Sequence, residues 1–332
     1  MKIDFVIAWV NGNDPAWLRE KQKYISQKKI NSDSRDIRFR DWENLQFWFR
    51  GVEKYAPWVN KIYFVTWGHI PEWLNVSNEK LVIVKHSDFI PQNYLPTFNS
   101  HVIELNLHRI KGLSEHFVYF NDDMFLIKPV NESDFFRNGL PCDVFALDAI
   151  FFGPDSAGFY NGNDMVLINK NFDIRKQFKK FFYSKYLRMR YGLANIYRTM
   201  VLKHWPWFSG FRYYHIHSNF LKSTFEEVWD KEFQTLDDTC KDRFRSTTNV
   251  NQWLFKYWQL ASGKFYPQKK GFGNVYHLND YPCKEFLDDF KKNKYSVVCL
   301  NDVLKTHDWN KHKEKIIELF SKKLPDKCTF EK

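Results

Sequence analysis

The first apolar run, Ile3–Val10 ("IDFVIAWV"), is broken by a single acid and has the length of a strand. Near-continuous hydrophobicity predicts a central strand covered on both faces. After Asp41, the positions Leu45, Trp48, Phe49 and Val52 follow the i, i+3, i+4, i+7 rule, which predicts a helix laid on a sheet. Lys61–Thr66 ("KIYFVT") and Leu81–His86 ("LVIVKH") predict two further strands. A helix opens near Ser100 with Ile103, Leu107 and Ile110 on one face, and Phe117–Phe120 ("FVYF") predicts a fourth strand. Strand and helix alternate, so the expected fold is α/β: a Rossmann-like, mostly parallel sheet flanked by helices.

Beyond Asp173 the pattern turns helical, basic and aromatic. In "NVNQWLFKYWQLASG" the residues Val250, Trp253, Leu254, Tyr257, Trp258 and Ala261 form one stripe. Asn249 and Gln252 stand where a capping box would place them, and Gly263 where the helix should stop. The C-terminal "WNKHKEKIIELFSKKL" predicts an amphipathic basic helix. The expected organisation is one catalytic α/β domain over 1–275, carrying a helical basic insertion at about 174–212. A helical C-terminal extension, 276–332, is expected to pack on it.

Charge sharpens this picture. The net charge is +11, and between Ile174 and Phe225 there are eleven Lys and Arg and no Asp or Glu. Interleaved with Phe, Tyr and Trp, such a segment suits a phosphate-rich partner or an anionic membrane surface, and equally a solvated helix with an aromatic inner face. The five cysteines are scattered without a CxxC pair, so neither a zinc site nor a disulfide framework is expected, and a reducing cytoplasm fits. An acid at position 4 argues against a signal peptide, and no apolar run approaches the ~18 residues that span a membrane.

Candidate chemistry gathers at strand ends, where α/β sheets bind ligands. The fourth strand runs into Asn121, Asp122 and Asp123, two adjacent carboxylates that suit a hard divalent cation or a simple turn. Strand one ends in Asn11, Gly12, Asn13, Asp14 and Pro15, a turn in which Gly12 lets backbone approach a ligand. Arg35, Arg38 and Arg40 precede a helix and offer guanidinium forks for phosphate, Arg38 and Arg40 foremost. His215 and His217 alternate, as an acid/base or metal pair on one strand face would, and Arg243 and Arg245 follow in "DRFRSTTNVNQ". There is no GxGxxG and no GxxxxGK[ST], so dinucleotide and P-loop readings lack support.

Taken together, "IDFVIAWVNGNDPAW", "RFRDWENLQFWFRGVEKYAPWVNKIYFVTWGHIPEWLN", "HSDFIPQNYLPTFNSHVIELNLHRIKGLSEHFVYFNDDMF" and the block from "HIHSNF" to "RFRSTTNVNQWLFKYWQ" resemble the Stealth family, hexose-1-phosphate transferases of bacterial capsule synthesis. The resemblance implies a glycosyltransferase-A-like fold, a UDP-sugar donor, Mg²⁺ or Mn²⁺, and an oligosaccharide or lipid-linked glycan acceptor. It also implies release of UMP, and no nucleic-acid partner is expected. The family's acidic pair maps onto Asp122 and Asp123 as metal ligands, with Asp123, His215 and Arg245 as catalytic residues. Asn11, Gly12, Asp14, Arg38, Arg40, Asn99 and Ser100 would lie along the donor. Asn11 and Asn249 stand where the family commonly has Asp, and His217 where it has Pro. The implied setting is cytoplasmic, peripheral on the inner face of the bacterial plasma membrane. Two other classes remain open: an ordinary metal-dependent glycosyltransferase releasing UDP, and a non-catalytic polyanion-binding protein.

Overall fold

Apolar on both faces, Ile3–Ala8 (β1) takes the middle of a five-stranded sheet. The computed structural model describes residues 1–25, 32–33, 39–153, 157–278, 284–302 and 309–332. Ile62–Thr66 (β2), Leu81–Lys85 (β3) and His116–Asn121 (β4) join β1 in the order β3-β2-β1-β4, all parallel. Ser218–Leu221 closes the sheet antiparallel to β4. The expectation of a mostly parallel sheet with helices on its faces is met.

Along β1, Phe5 and Ile7 enter one core and Val6 the other, which explains the unbroken apolar run. Its one acid, Asp4, is fully buried and satisfied: Oδ1 accepts from Asn60 Nδ2 and the Lys61 amide, Oδ2 from the Ser114 amide. It ties together the loops at the edge of the sheet away from the site.

The helices that matter for the site are Pro15–Ile25 (α1), Leu45–Tyr55 (α2), Ser100–Leu105 (α3), Gly158–Asn171 (α4), Ile174–Phe181 (α5), Leu193–Leu202 (α6), Trp253–Ser262 (α7) and Trp309–Lys323 (α8). Gly263 ends α7 in the left-handed conformation, φ 72°, as expected of a C-terminal glycine. The start of α7 differs from expectation. Asn249 is not its cap; instead Asn251 Oδ1 accepts from the Trp253 amide.

The C-terminal segment is not helical alone. After β4 the chain turns at Asp122–Asp123 and continues as Met124–Leu126 (β5), which leaves the central sheet for a second one. There β5 pairs antiparallel with Val297–Asn301, itself parallel to Gly273–His277. The expected boundary at 275 therefore falls inside a strand. Sequence pattern missed Val297–Asn301 because four successive buried residues without alternation carry no period of their own. Behind this sheet, Phe320 of α8 is fully buried among Phe47, Phe125 and Phe290, with ring centroids 5.6, 4.8 and 5.1 Å away. Gly51 of α2 lets that helix approach, since a Cβ there would lie 2.8 Å from the Leu126 carbonyl oxygen.

Phe320→Ala should cost about 3–5 kcal/mol, the usual toll of removing a buried aromatic. Urea unfolding at constant m-value is the measurement; a loss below about 1 kcal/mol would show that α8 does not hold the second sheet.

Candidate active site

The register of the sheet places the chemistry. Ala8 pairs with Asn121 and also with Val65, so the segments after β1, β2 and β4 emerge side by side at the carboxyl edge. These segments carry Asn11, His69 and the Asp122–Asp123 turn. The segment before Ser218 enters the same edge from the antiparallel strand and brings His215.

Asp123 is the centre. Its carbonyl accepts from the Leu300 amide at 2.8 Å, and its Oδ2 accepts from the Cys299 thiol at 3.3 Å. His215 Nε2 lies 3.8 Å from the same Oδ2, and the three side chains can each offer one ligand atom within 4.8 Å of the others. Burial, Asp123 and Asp122 raise the Cys299 thiol well above its ordinary value, so it serves as a donor to the carboxylate and not as a thiolate. On the far side, His215 Nδ1 shares a hydrogen bond with the Tyr213 hydroxyl, and Tyr213 packs 4.3 Å from the Trp253 ring.

Asp122, next in the turn, faces solvent. The surrounding protein and the like charges of Asp123 and Asp41 nonetheless push its carboxyl up to about 8. A cation here would reverse the like-charge part of that shift. Asp123 Oδ1 is buried and accepts no hydrogen bond. An orphaned carboxylate oxygen, a second carboxylate beside it and one imidazole fit Mg²⁺ or Mn²⁺, which take few protein ligands and leave room for phosphate oxygens.

Arg245 reaches Ser100 Oγ at 2.6 Å, so these two expected residues do meet. Burial raises the Glu104 acid, and the nearby Arg245 and Ser100 hold it down. Glu104 Oε2 in turn accepts from the Gln252 amide at 3.3 Å. Beneath it Asp164, fully buried and raised well above the carboxylate range by burial, accepts from the Asn251 amide.

Several expected donor contacts have other employment. Asn99 has no solvent exposure: its Oδ1 caps α3 at the His101 amide, and its Nδ2 donates to the Asp242 carbonyl and to Asn249 Oδ1. Asp14 Oδ1 accepts from the Ala16 and Trp17 amides and so caps α1. Asn11 Oδ1 accepts from the Asn13 amide within the turn. Gly12 is required by the protein's own packing, because a Cβ there would sit 1.9 Å from the Phe39 carbonyl oxygen. Arg40 is paired with Asp302 at 3.1 Å and lies over the Trp309 ring. Arg35 and Arg38 lie outside the described residues.

His217 does not join His215. Residues 213–217 are irregular, so strand alternation does not apply, and His217 stacks on Phe120 inside the aromatic core. Burial and Lys256 lower it to about 3, which keeps it neutral. The sequence reading also passed over His69, Tyr213, Cys299 and Glu104. His69 Nε2 accepts from the Asn11 amide at 2.8 Å and holds the first turn in place. A histidine shortly after a strand end was the one signal for it; the other three had none.

Two regional family models match the chain: Stealth protein CR1, conserved region 1, over residues 1–29, and Stealth protein CR2, conserved region 2, over residues 38–142. Capsular polysaccharide phosphotransferase WcwK of Streptococcus pneumoniae is 42% identical over 332 residues, covering 100% of this chain and 98% of that one. Receptor polysaccharide phosphotransferase WefC of Streptococcus oralis is 39% identical, with 99% of each chain covered. Exopolysaccharide phosphotransferase cps2G of Lactiplantibacillus plantarum is 38% identical, covering 99% and 96%. Among solved structures, galactosyltransferase LgtC with donor and acceptor sugar analogs superposes with a TM-score of 0.42 at 11% identity, over 96% of this chain and 95% of that one.

Asn249 offers a test of the buried amides. Its Nδ2 donates to Asp242 Oδ2 at 2.9 Å, and its Oδ1 accepts from Asn99 and the Ser246 amide. Asn249→Asp sets two carboxylates against each other and should cost about 1–3 kcal/mol. Urea unfolding at constant m-value is the measurement; a loss below about 0.5 kcal/mol would mean that no such repulsion forms.

Proposed function

The chain belongs to the Stealth family, and on that premise we propose that it moves a hexose-1-phosphate or N-acetylhexosamine-1-phosphate from a UDP-sugar to a sugar hydroxyl. The product is a phosphodiester between sugars in a capsular or cell-surface polysaccharide, and UMP is released. What supports this reading most is the cluster of Asp123, His215 and Cys299 beside Asp122 at the carboxyl edge of the sheet, with Arg245 acting on the same buried Tyr119 as the two aspartates.

In this reading Asp122 and Asp123 hold Mg²⁺ or Mn²⁺, which when bound offsets the charge of the diphosphate. Phosphoryl transfer is mainly positioning and neutralisation of spread negative charge, so the protein needs cations aimed at the phosphorus and a base at the acceptor. Arg245, fixed by Ser100 and Glu104, supplies the first. His215 supplies the second. In the tautomer that carries its proton on Nδ1, facing the Tyr213 hydroxyl, Nε2 holds the lone pair that takes the acceptor's proton. The acceptor oxygen attacks the sugar-bearing phosphorus, and its proton passes to Nε2. The bond from that phosphorus to the bridging oxygen breaks, and UMP leaves with both electrons of the bond. The imidazolium so formed lies 3.8 Å from the Asp123 carboxylate, which stabilises it.

Asn11, Asp14 and Gly12 would shape the donor side through backbone held in a fixed turn, with Asn99 and Ser100 supporting from beneath. Arg40 and Arg38 are the remaining candidates for the diphosphate; Arg40 would have to exchange Asp302 for phosphate. The acceptor is an oligosaccharide or a lipid-linked glycan, met on the cytoplasmic face of the plasma membrane. Among the described residues no helix is long and apolar enough to cross a membrane.

A donor panel of UDP-sugars with Mg²⁺ and an oligosaccharide acceptor, read by product mass, should show UMP and a product one phosphate heavier than a plain glycoside. UDP release would instead identify an ordinary glycosyltransferase. Asp123→Asn and His215→Ala should each lower kcat by about 10²–10⁴ while thermal unfolding stays near that of the parent. Full turnover in either variant would remove that residue from the reaction.

A further inference from the structure

Helix α6 buries Leu202 yet leaves an apolar stripe in solvent. Leu193, Tyr197 and Val201, at i, i+4 and i+8, are 72%, 73% and 50% exposed, whereas Asn195 and Thr199 are 5% and 3% exposed. An ordinary surface helix turns its apolar stripe to the core. Here hydrogen bonds lock the opposite orientation. Asn195 Nδ2 donates to the Tyr191 carbonyl and the Tyr214 hydroxyl, and Thr199 Oγ1 accepts from the Leu147 amide. Arg198 pairs with Asp148 at 3.2 Å. The stripe has no freedom to roll inward.

The exposed apolar surface continues past the helix. The 147–148 segment that anchors α6 leads into Ala149, Ile150 and Phe152. With Trp205 and Trp207 these line an open, mostly apolar groove of about 640 Å³. Of the seventeen exposed large hydrophobic residues among those described, ten lie between Phe151 and Trp207. Single exposed hydrophobics are ordinary; a run of them on adjoining elements marks an interaction surface.

The charge of the same stretch of chain selects the partner. Arg175, Lys176, Lys179 and Lys180 are exposed on α5, Arg188 and Arg190 are exposed just before α6, and no acid occurs from 174 to 225. Arg188 and Arg190 donate to backbone carbonyls of Tyr183 and Pro267, contacts that leave their charge uncompensated. A polyanionic glycan would satisfy the cations but has no use for exposed Leu, Met and Val. An anionic bilayer satisfies both, its headgroups meeting the cations and its acyl boundary the apolar stripe.

We infer that α6 and the Trp205–Trp207 groove form the face by which this protein lies on an anionic membrane. The inference deepens the membrane-side part of the proposed function by naming the surface. Its failure is separable from failure of the reaction, because turnover on a soluble acceptor needs no vesicle.

The test is co-sedimentation of the full chain with vesicles of phosphatidylcholine, alone or mixed with phosphatidylglycerol. The parent should bind the mixed vesicles about tenfold or more tightly than the neutral ones. The triple variant Leu193→Glu/Tyr197→Glu/Val201→Glu, altered only at exposed positions, should lose about tenfold or more of that binding. It should keep the parent's turnover on a soluble acceptor. Trp205→Ala/Trp207→Ala should bind more weakly as well, which guards against misfolding of one variant. Equal binding by parent and both variants would overturn the inference. So would a parent that ignores anionic vesicles but binds soluble polyphosphate, an outcome that makes this face a glycan site.

Discussion

Everything at the carboxyl edge depends on one strand changing sheets. β4 belongs to the central parallel sheet and β5 to the second sheet, and the two residues of the crossing are Asp122 and Asp123. A turn between two buried strands would ordinarily be free to adjust. This one is pinned by the Leu300 amide on the Asp123 carbonyl and by the Cys299 thiol on its carboxylate. Two like charges are thereby held together although electrostatics favours their separation. Fixed proximity of carboxylates is what a divalent cation requires, and it comes from a strand near the far end of the chain.

The rest of the site is layered behind that turn. Arg245, Ser100 and Glu104 form a chain of polar contacts that ends on the amide of Gln252 at the start of α7. Asn99, Asn249 and Asp242 form a second, buried set. Neither set could be exchanged for apolar residues without stranding partners, since each buried amide or carboxylate satisfies another. The side-chain amides at 11, 99 and 249 thus hold backbone in place.

The fold was largely legible because it rests on local periodicity. β1 to β4 and α2 carry patterns that survive in the structure, and Gly263 ends α7 for the reason its lack of a Cβ suggests. Errors arose where a local rule met a tertiary constraint. Asn249 sits at the right spacing for a cap yet bonds Asn99, 150 residues away in sequence. At Gly12 the chain does come close to other backbone, that of Phe39, a neighbour no local pattern names. The two histidines alternate in sequence, but the backbone beneath them is not a strand, so only His215 turns to the carboxylates.

The sequence by itself determined the order of strands and helices, the adjacent acids at a strand end, and the segregation of positive charge into 174–225. These are properties of neighbours along the chain, and period, composition and spacing express them directly. Only the tertiary structure decided which polar residues face the site and which hold the frame. It joined Cys299 to Asp123 across 176 positions and His69 to Asn11 across 58. It also decided that Leu193, Tyr197 and Val201 of α6 stay exposed while Asn195 and Thr199 are buried. Such choices depend on where a side chain finds its hydrogen-bond partner after packing, and no local pattern encodes a partner that distant.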